Sequence, residues 1–152
     1  MQDFPDIIST DIIPEKWNTI WEENDEVNAL GNRPILIITL RYKPGSEESV
    51  QLQKIVEACK IKEEQYNLLT IGENQVISIN YLFAKCKPET VLFLGIQPIQ
   101  LGISAQFALN KPNKFNNSIF IPALSLSDME QQPQMKARLW NDALKPIFIE
   151  NK

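Results

Sequence analysis

Two apolar runs each lead into residues able to hold a ligand: Arg41, Lys43 and Gly45 after the first, Ser125 after the last. A guanidinium, an ammonium, a conformationally free glycine and a hydroxyl together suit a small anion. They do not make a catalytic set. Prolines, small residues and a hydroxyl furnish these positions, and none of them takes or gives a proton near neutrality. The chain also contains no histidine, which removes Ser/His triads, Cys/His dyads, imidazole acid–base work and His-ligated metals. Cys59 and Cys86 stand far apart in predicted helices without C-x-x-C spacing, so they read as buried thiols and not as zinc or iron–sulfur ligands. Neither G-x-G-x-x-G nor G-x-x-x-x-G-K-[ST] occurs. The expectation is no catalytic residue, no metal and no cofactor. Lys111 and Lys114 are further cations that can reach such a crevice, although residues of this kind are more often simply solvated.

The elements that must position these groups follow from hydrophobic patterning. Residues 35–40, Ile-Leu-Ile-Ile-Thr-Leu, form an unbroken apolar run, as do residues 90–94, Thr-Val-Leu-Phe-Leu; strands of this kind are buried on both faces, as in a parallel sheet covered by helices. Residues 66–71 form a second strand stopped by Gly72, and 118–121 a last one delivered to Pro122, since proline cannot continue a central ladder. Between them lie helices. One is capped by Ser46 with Glu47 and Glu48 in its first turn; a second spans 76–85. A third is opened by Pro133, carries Met135, Leu139, Trp140, Ala143 and Leu144 on one stripe, and ends at Pro146. Residues 97–117 lose periodicity and read as a long connection with one short strand near 101–104 or 107–109. Strands alternating with helices predict an α/β fold, a three-layer α/β/α sandwich around a short, mainly parallel four-stranded sheet. In such sheets the carboxyl ends of the strands face the ligand crevice.

Composition and charge bound the function. A chain of 152 residues, 43% apolar and 22% charged, is long enough to bury a core without staples. It carries no apolar run of membrane length, and its first residues are acidic where a signal peptide is basic, so a cytoplasmic protein without a membrane partner is expected. Residues 1–30 hold eight acids against Lys16, and the rest of the chain 14 bases against 11 acids. A body so weakly basic makes direct nucleic-acid binding weak or absent. The chain therefore divides into an acidic arm with a short helix (1–30) and one α/β domain (31–152). In the arm, Phe4, Ile7, Ile8, Ile12 and Ile13 interleave with aspartates, and a helix beginning near Pro14 places Trp17 and Trp21 with Ile13 and Ile20 on one face. Either this face packs on the domain or the arm docks into a partner.

Pro122-Ala123-Leu124-Ser125, then Pro133, then Lys136-Ala137-Arg138-Leu139-Trp140 resembles the C-terminal strand, loop and Trp-bearing helix of the psi subunit family of bacterial DNA polymerase III, small clamp-loader accessory proteins with the uracil-DNA glycosylase type of fold. The match lies in the C-terminal third; before it the likeness is architectural. What the resemblance implies is a non-catalytic, protein-binding subunit, tethered to other clamp-loader proteins by an N-terminal peptide; no motif of the arm matches residue by residue, and Phe4, Ile7, Ile8, Ile12, Ile13, Trp17 and Trp21 are candidates for the binding role from the arm's own apolar pattern. The glycosylase superfamily sets a water-directing carboxylate or Asn after its first strand and a His-containing loop after its last. Arg41-Tyr42-Lys43-Pro44-Gly45 and Pro122-Ala123-Leu124-Ser125 occupy those places here, and neither supplies the group. The alternative is a glycosylase-like protein that binds a nucleic acid or small anionic ligand at the crevice through Arg41, Lys43, Gly45 and Ser125.

Overall fold

Unbroken apolar strands require cover on both faces, and that requirement sets the architecture. The computed structural model describes residues 24–150. Strands β1 (Ile35–Leu40), β2 (Tyr66–Ile71), β3 (Thr90–Leu94), β4 (Asn113–Phe115) and β5 (Ser118–Ala123) form one sheet in the order β2-β1-β3-β5-β4. All neighbours are parallel except β4, which runs antiparallel to β5. The protein is α/β with a mostly parallel sheet, but of five strands, not four. β4 escapes prediction because its three residues show no alternation. The Asn116-Asn117 pair behind it supplies the signal: φ is 51° and 66°, the left-handed pair that a two-residue hairpin turn needs and that Asn tolerates. No strand forms at 101–104 or 107–109. Phe107 instead drops its ring among Phe93, Phe115 and Phe120, with centroids 5.4–6.1 Å away.

β5 also runs two residues further than expected, through Pro122. Residues of a strand alternate in the side to which they offer N–H and C=O. Ala123 accepts from Gly95 N–H on the β3 side (2.9 Å), so Pro122 faces away from β3; its carbonyl accepts from Asn110 N–H at 2.8 Å. The missing proline donor therefore removes no bond from the parallel ladder.

The helices are α1 (Asp25–Asn28), α2 (Glu47–Ala58), α3 (Ile79–Cys86), α4 (Leu126–Gln131) and α5 (Pro133–Leu139). α2 begins at the expected Ser46 cap, whose hydroxyl accepts from Ser49 N–H. α3 begins later than predicted because Ile77 N–H is committed to Gln100 C=O at 2.8 Å. α4 occupies residues between the last strand and Pro133 to which the sequence pattern assigns no element, and Ser125 caps it by accepting from Asp128 N–H at 3.1 Å. Pro146 does not end the last helix: helical turns continue over Trp140–Glu150 in the wider π form. Widening accommodates a residue that lacks an N–H and whose ring collides with the carbonyl four residues back, and it brings Phe148 into the core.

Two apolar clusters lie on opposite faces of the sheet. Leu36, Ile38, Val91, Phe93 and Phe120 pack against Leu82 and Cys86 of α3, while Ile37, Leu92, Leu94 and Ile121 pack against Leu52, Ile55 and Val56 of α2 and Leu139, Ala143 and Leu144 of the C-terminal helix. From the acidic segment, Val27 is a fully buried member of the first cluster and Leu30 packs against it. Side chains close the outer margin of β2. Glu26 accepts from Thr70 N–H at 3.1 Å, Arg33 donates to Tyr66 C=O at 2.9 Å, and the Asn67 amide pairs with both N–H and C=O of Gly31. Phe4, Ile7, Ile8, Ile12, Ile13, Trp17, Trp21 and the helix expected near Pro14 lie outside the described residues.

Candidate functional site

The carboxyl ends of β1, β3 and β5 open on a crevice of about 880 Å³, large enough for a small ligand. Arg41 enters it from the end of β1 and Ser125 from the end of β5. Gly95 ends β3 at φ 74°. A Cβ there would lie 2.6 Å from the Cβ of Ser125, so the glycine is what lets β3 and the α4 cap close together.

Of the residues singled out from sequence, the structure brings Arg41 and Ser125 into the crevice. Lys43, Gly45, Lys111 and Lys114 are absent from its lining. Gly45 shapes the preceding turn: Lys43 C=O accepts from Ser46 N–H at 3.1 Å, and Gly45 has φ 80°, a type II turn with Pro44 at its first central position. That turn sends Lys43 outward. The Ser125 hydroxyl caps α4, and the Arg41 guanidinium donates to Gln75 Oε1 at 3.2 Å.

Three carboxylates that the sequence reading did not place there, Glu48, Glu73 and Asp128, line the same crevice. The mouth therefore carries acids as well as prolines, small residues and a hydroxyl, which corrects the expectation. Their origin is topological. A helix that follows a parallel strand presents its first turn to the rim where the strand ended, and first turns favour acids because they face the positive end of the helix dipole. Glu48 and Asp128 are such residues of α2 and α4. With three acids against Arg41, the lining suits an anion poorly.

The crevice wall is held by Gln100, which is buried. Its Nε2 donates to the carbonyls of Gly72, Glu73 and Gln75 at 3.3, 3.1 and 2.9 Å, and its Oε1 accepts from Gln97 N–H at 3.0 Å. One side chain thus ties the loop after β2 to the turn after β3.

A second concavity lies on the face covered by α2 and the C-terminal helix. It is apolar, about 270 Å³, and formed by Ile55 and Ala58 with Leu139, Trp140 and Leu144, between Lys54 and Lys136. Trp140 is half-buried. Among the described residues no group of three or more His, Cys, Asp or Glu side chains is arranged to hold a metal ion, and no helix is long and apolar enough to cross a membrane. No protein-family model matches the chain, and no curated protein matches it in sequence.

Proposed function

We propose that the protein is a non-catalytic binding module, a psi-like accessory subunit of a bacterial replicative clamp loader working in the cytoplasm. The observation that carries this reading is the apolar groove at Trp140. Lys136, Leu139 and Trp140 belong to the stretch that resembles the psi family, and all three line that groove. A half-buried Trp beside aliphatic side chains and two cations is the composition of an interface anchor. The acidic arm, with Phe4, Ile7, Ile8, Ile12 and Ile13, supplies a second contact of complementary kind. The glycosylase type of fold and the absence of activity are parts of the same proposal, supported by a crevice whose Arg41 and Ser125 are engaged in structural bonds and whose charge disfavours a departing uracil anion.

Gel filtration of the protein with its host's clamp-loader subunits tests the reading. Co-elution that is lost on deleting residues 1–13 is expected; no shift with any subunit overturns it. The second reading, a glycosylase-like protein acting at the strand-end crevice, is favoured by that crevice's volume alone. Release of base from uracil-containing single-stranded DNA would establish it in place of the first.

A further inference from the structure

The groove at Trp140 does not end with its apolar part. Lys54 and Lys136 also border a polar concavity of about 320 Å³ that continues along α2 past Val50 to Glu47, with Glu130 on its other side. Val50 is 51% exposed, one of three exposed large hydrophobic residues among the described ones. From Glu47 to Ala58 the combined groove runs about 16 Å along α2.

Gln51 lines the polar part and is 3% exposed, yet neither its amide nitrogen nor its amide oxygen has a hydrogen-bond partner. Among the described residues the only other buried side-chain polar atom without a partner is Asn110 Oδ1; the buried Gln100 amide is spent wholly on backbone groups, and two further amides each grip a single residue. Asn67 grips the N–H and C=O of Gly31 at 3.0 and 2.8 Å, and Asn113 grips those of Ala108 at 2.9 and 3.1 Å. Each holds one backbone residue by both polar groups. Gln51 offers the same donor and acceptor to nothing, and a buried polar group left so is costly enough to point to an absent partner.

We propose that the groove between α2 and the C-terminal helix is the docking site of residues 3–13 of the same chain, with the Gln51 amide clamping one of their peptide groups. The segment fits in charge and shape. Asp3, Phe4 and Asp6 match the apolar end at Trp140 between Lys54 and Lys136. Ile7-Ile8-Ser9-Thr10, which has no charge, matches the part bordered by Glu47 and Glu130, where a further acid would be repelled. The segment has no Lys or Arg to meet the two lysines unfavourably. Glu47 and Glu130 are exposed, so their side chains swing aside as the backbone reaches Gln51. Residues 14–23, which join this segment to the described residues, can span up to about 33 Å when extended, against about 28 Å for twice the radius of gyration of a domain of this size, so the reach is sufficient. The inference rests on reading the chain as a binding module: docking holds the partner-binding arm on its own body, and a partner must displace it.

The test uses the full chain with a photo-crosslinking benzoylphenylalanine in place of Phe4, irradiated at low micromolar concentration and mapped by mass spectrometry. Crosslinks within one chain to residues of α2 or to 136–144 are expected. Lys54→Glu with Lys136→Glu should lower their yield about fivefold, the size expected from losing two exposed ion pairs, and Gln51→Leu should lower it while leaving the thermal midpoint unchanged or raised. Crosslinks between two chains, crosslinks to another surface, or a yield indifferent to all three substitutions overturn the proposal. No partner is present in this experiment, so its failure leaves the co-elution test standing, and the reverse.

Discussion

Gly95 and Ser125 approach so closely that no side chain fits between them: a Cβ on Gly95 would sit 2.6 Å from the Ser125 Cβ and 2.9 Å from its Cα. The backbone of Gly95 is also left-handed at φ 74°. Gly95→Ala therefore combines a conformational cost of about 1–2 kcal/mol with an overpacking cost of about 1–3 kcal/mol. The urea midpoint should fall accordingly; an unchanged midpoint would mean that β3 and the α4 cap separate without penalty.

Cys86 titrates in a way that makes the protein sensitive to alkali. Its thiol is fully buried and donates to Leu82 C=O at 3.2 Å; burial pushes its pKa from the ordinary 9.0 to about 11. Below pH 9 both folded and unfolded chains hold the proton and the stability is intact. Between pH 9 and 11 the unfolded chain releases it while the folded one does not, so stability falls by an amount on the order of 2–3 kcal/mol. Tyr42, raised by burial and then by Glu26 and Tyr66, acts in the same direction. Urea titrations at pH 8, 9, 10 and 11 should show the decline, and Cys86→Ala should flatten it.

Gln100→Leu keeps the volume roughly but withdraws a donor from three carbonyls and an acceptor from Gln97 N–H. With about 1–3 kcal/mol for each buried group left unpaired, a loss of roughly 2–4 kcal/mol is expected. Amide hydrogen exchange at Gln97 should accelerate before exchange in β1, which shares none of these bonds.

The Asn116-Asn117 turn can be improved. Both residues have positive φ, and glycine at the second position suits this turn better than asparagine. Asn117→Gly should hold or raise the thermal midpoint by up to a few degrees, whereas Asn117→Val should lower it, since a β-branched residue resists the left-handed conformation. A Val variant as stable as the parent would show that β4 contributes nothing to the sheet.

Much of the frame is readable in the sequence because burial on both faces leaves its own mark. The runs at 35–40 and 90–94 coincide with β1 and β3, and the stretch at 66–71, which alternates in burial and is stopped by Gly72, coincides with β2. Ser46 with Glu47 and Glu48 announces α2, and Pro133 opens α5. The rest depends on which side a peptide group faces, which residue types alone do not carry. Pro122 reads as a stop but lies inside β5, because its nitrogen points away from β3. Pro146 reads as another stop, but the helix widens around it. Lys43 reads as a crevice residue but is turned away by the Pro44-Gly45 bend. Glu48 and Asp128 read as helix-start acids, which they are, yet the topology makes those same starts the rim of the crevice. Gln51, on the buried side of α2, looks like any helix-forming glutamine until its lack of a partner is seen.

The two margins of the sheet bear on how the protein behaves when concentrated. A free strand border is a template on which another chain can assemble, and growth from such borders leads to fibres. Here β2 has its outward groups engaged by Glu26 and Arg33, and on the other side β5 beyond the short β4 meets the Asn110 backbone at a residue with no hydrogen to give. A foreign strand therefore meets a β2 row interrupted by side chains and, beyond the three residues of β4, a proline that offers no donor.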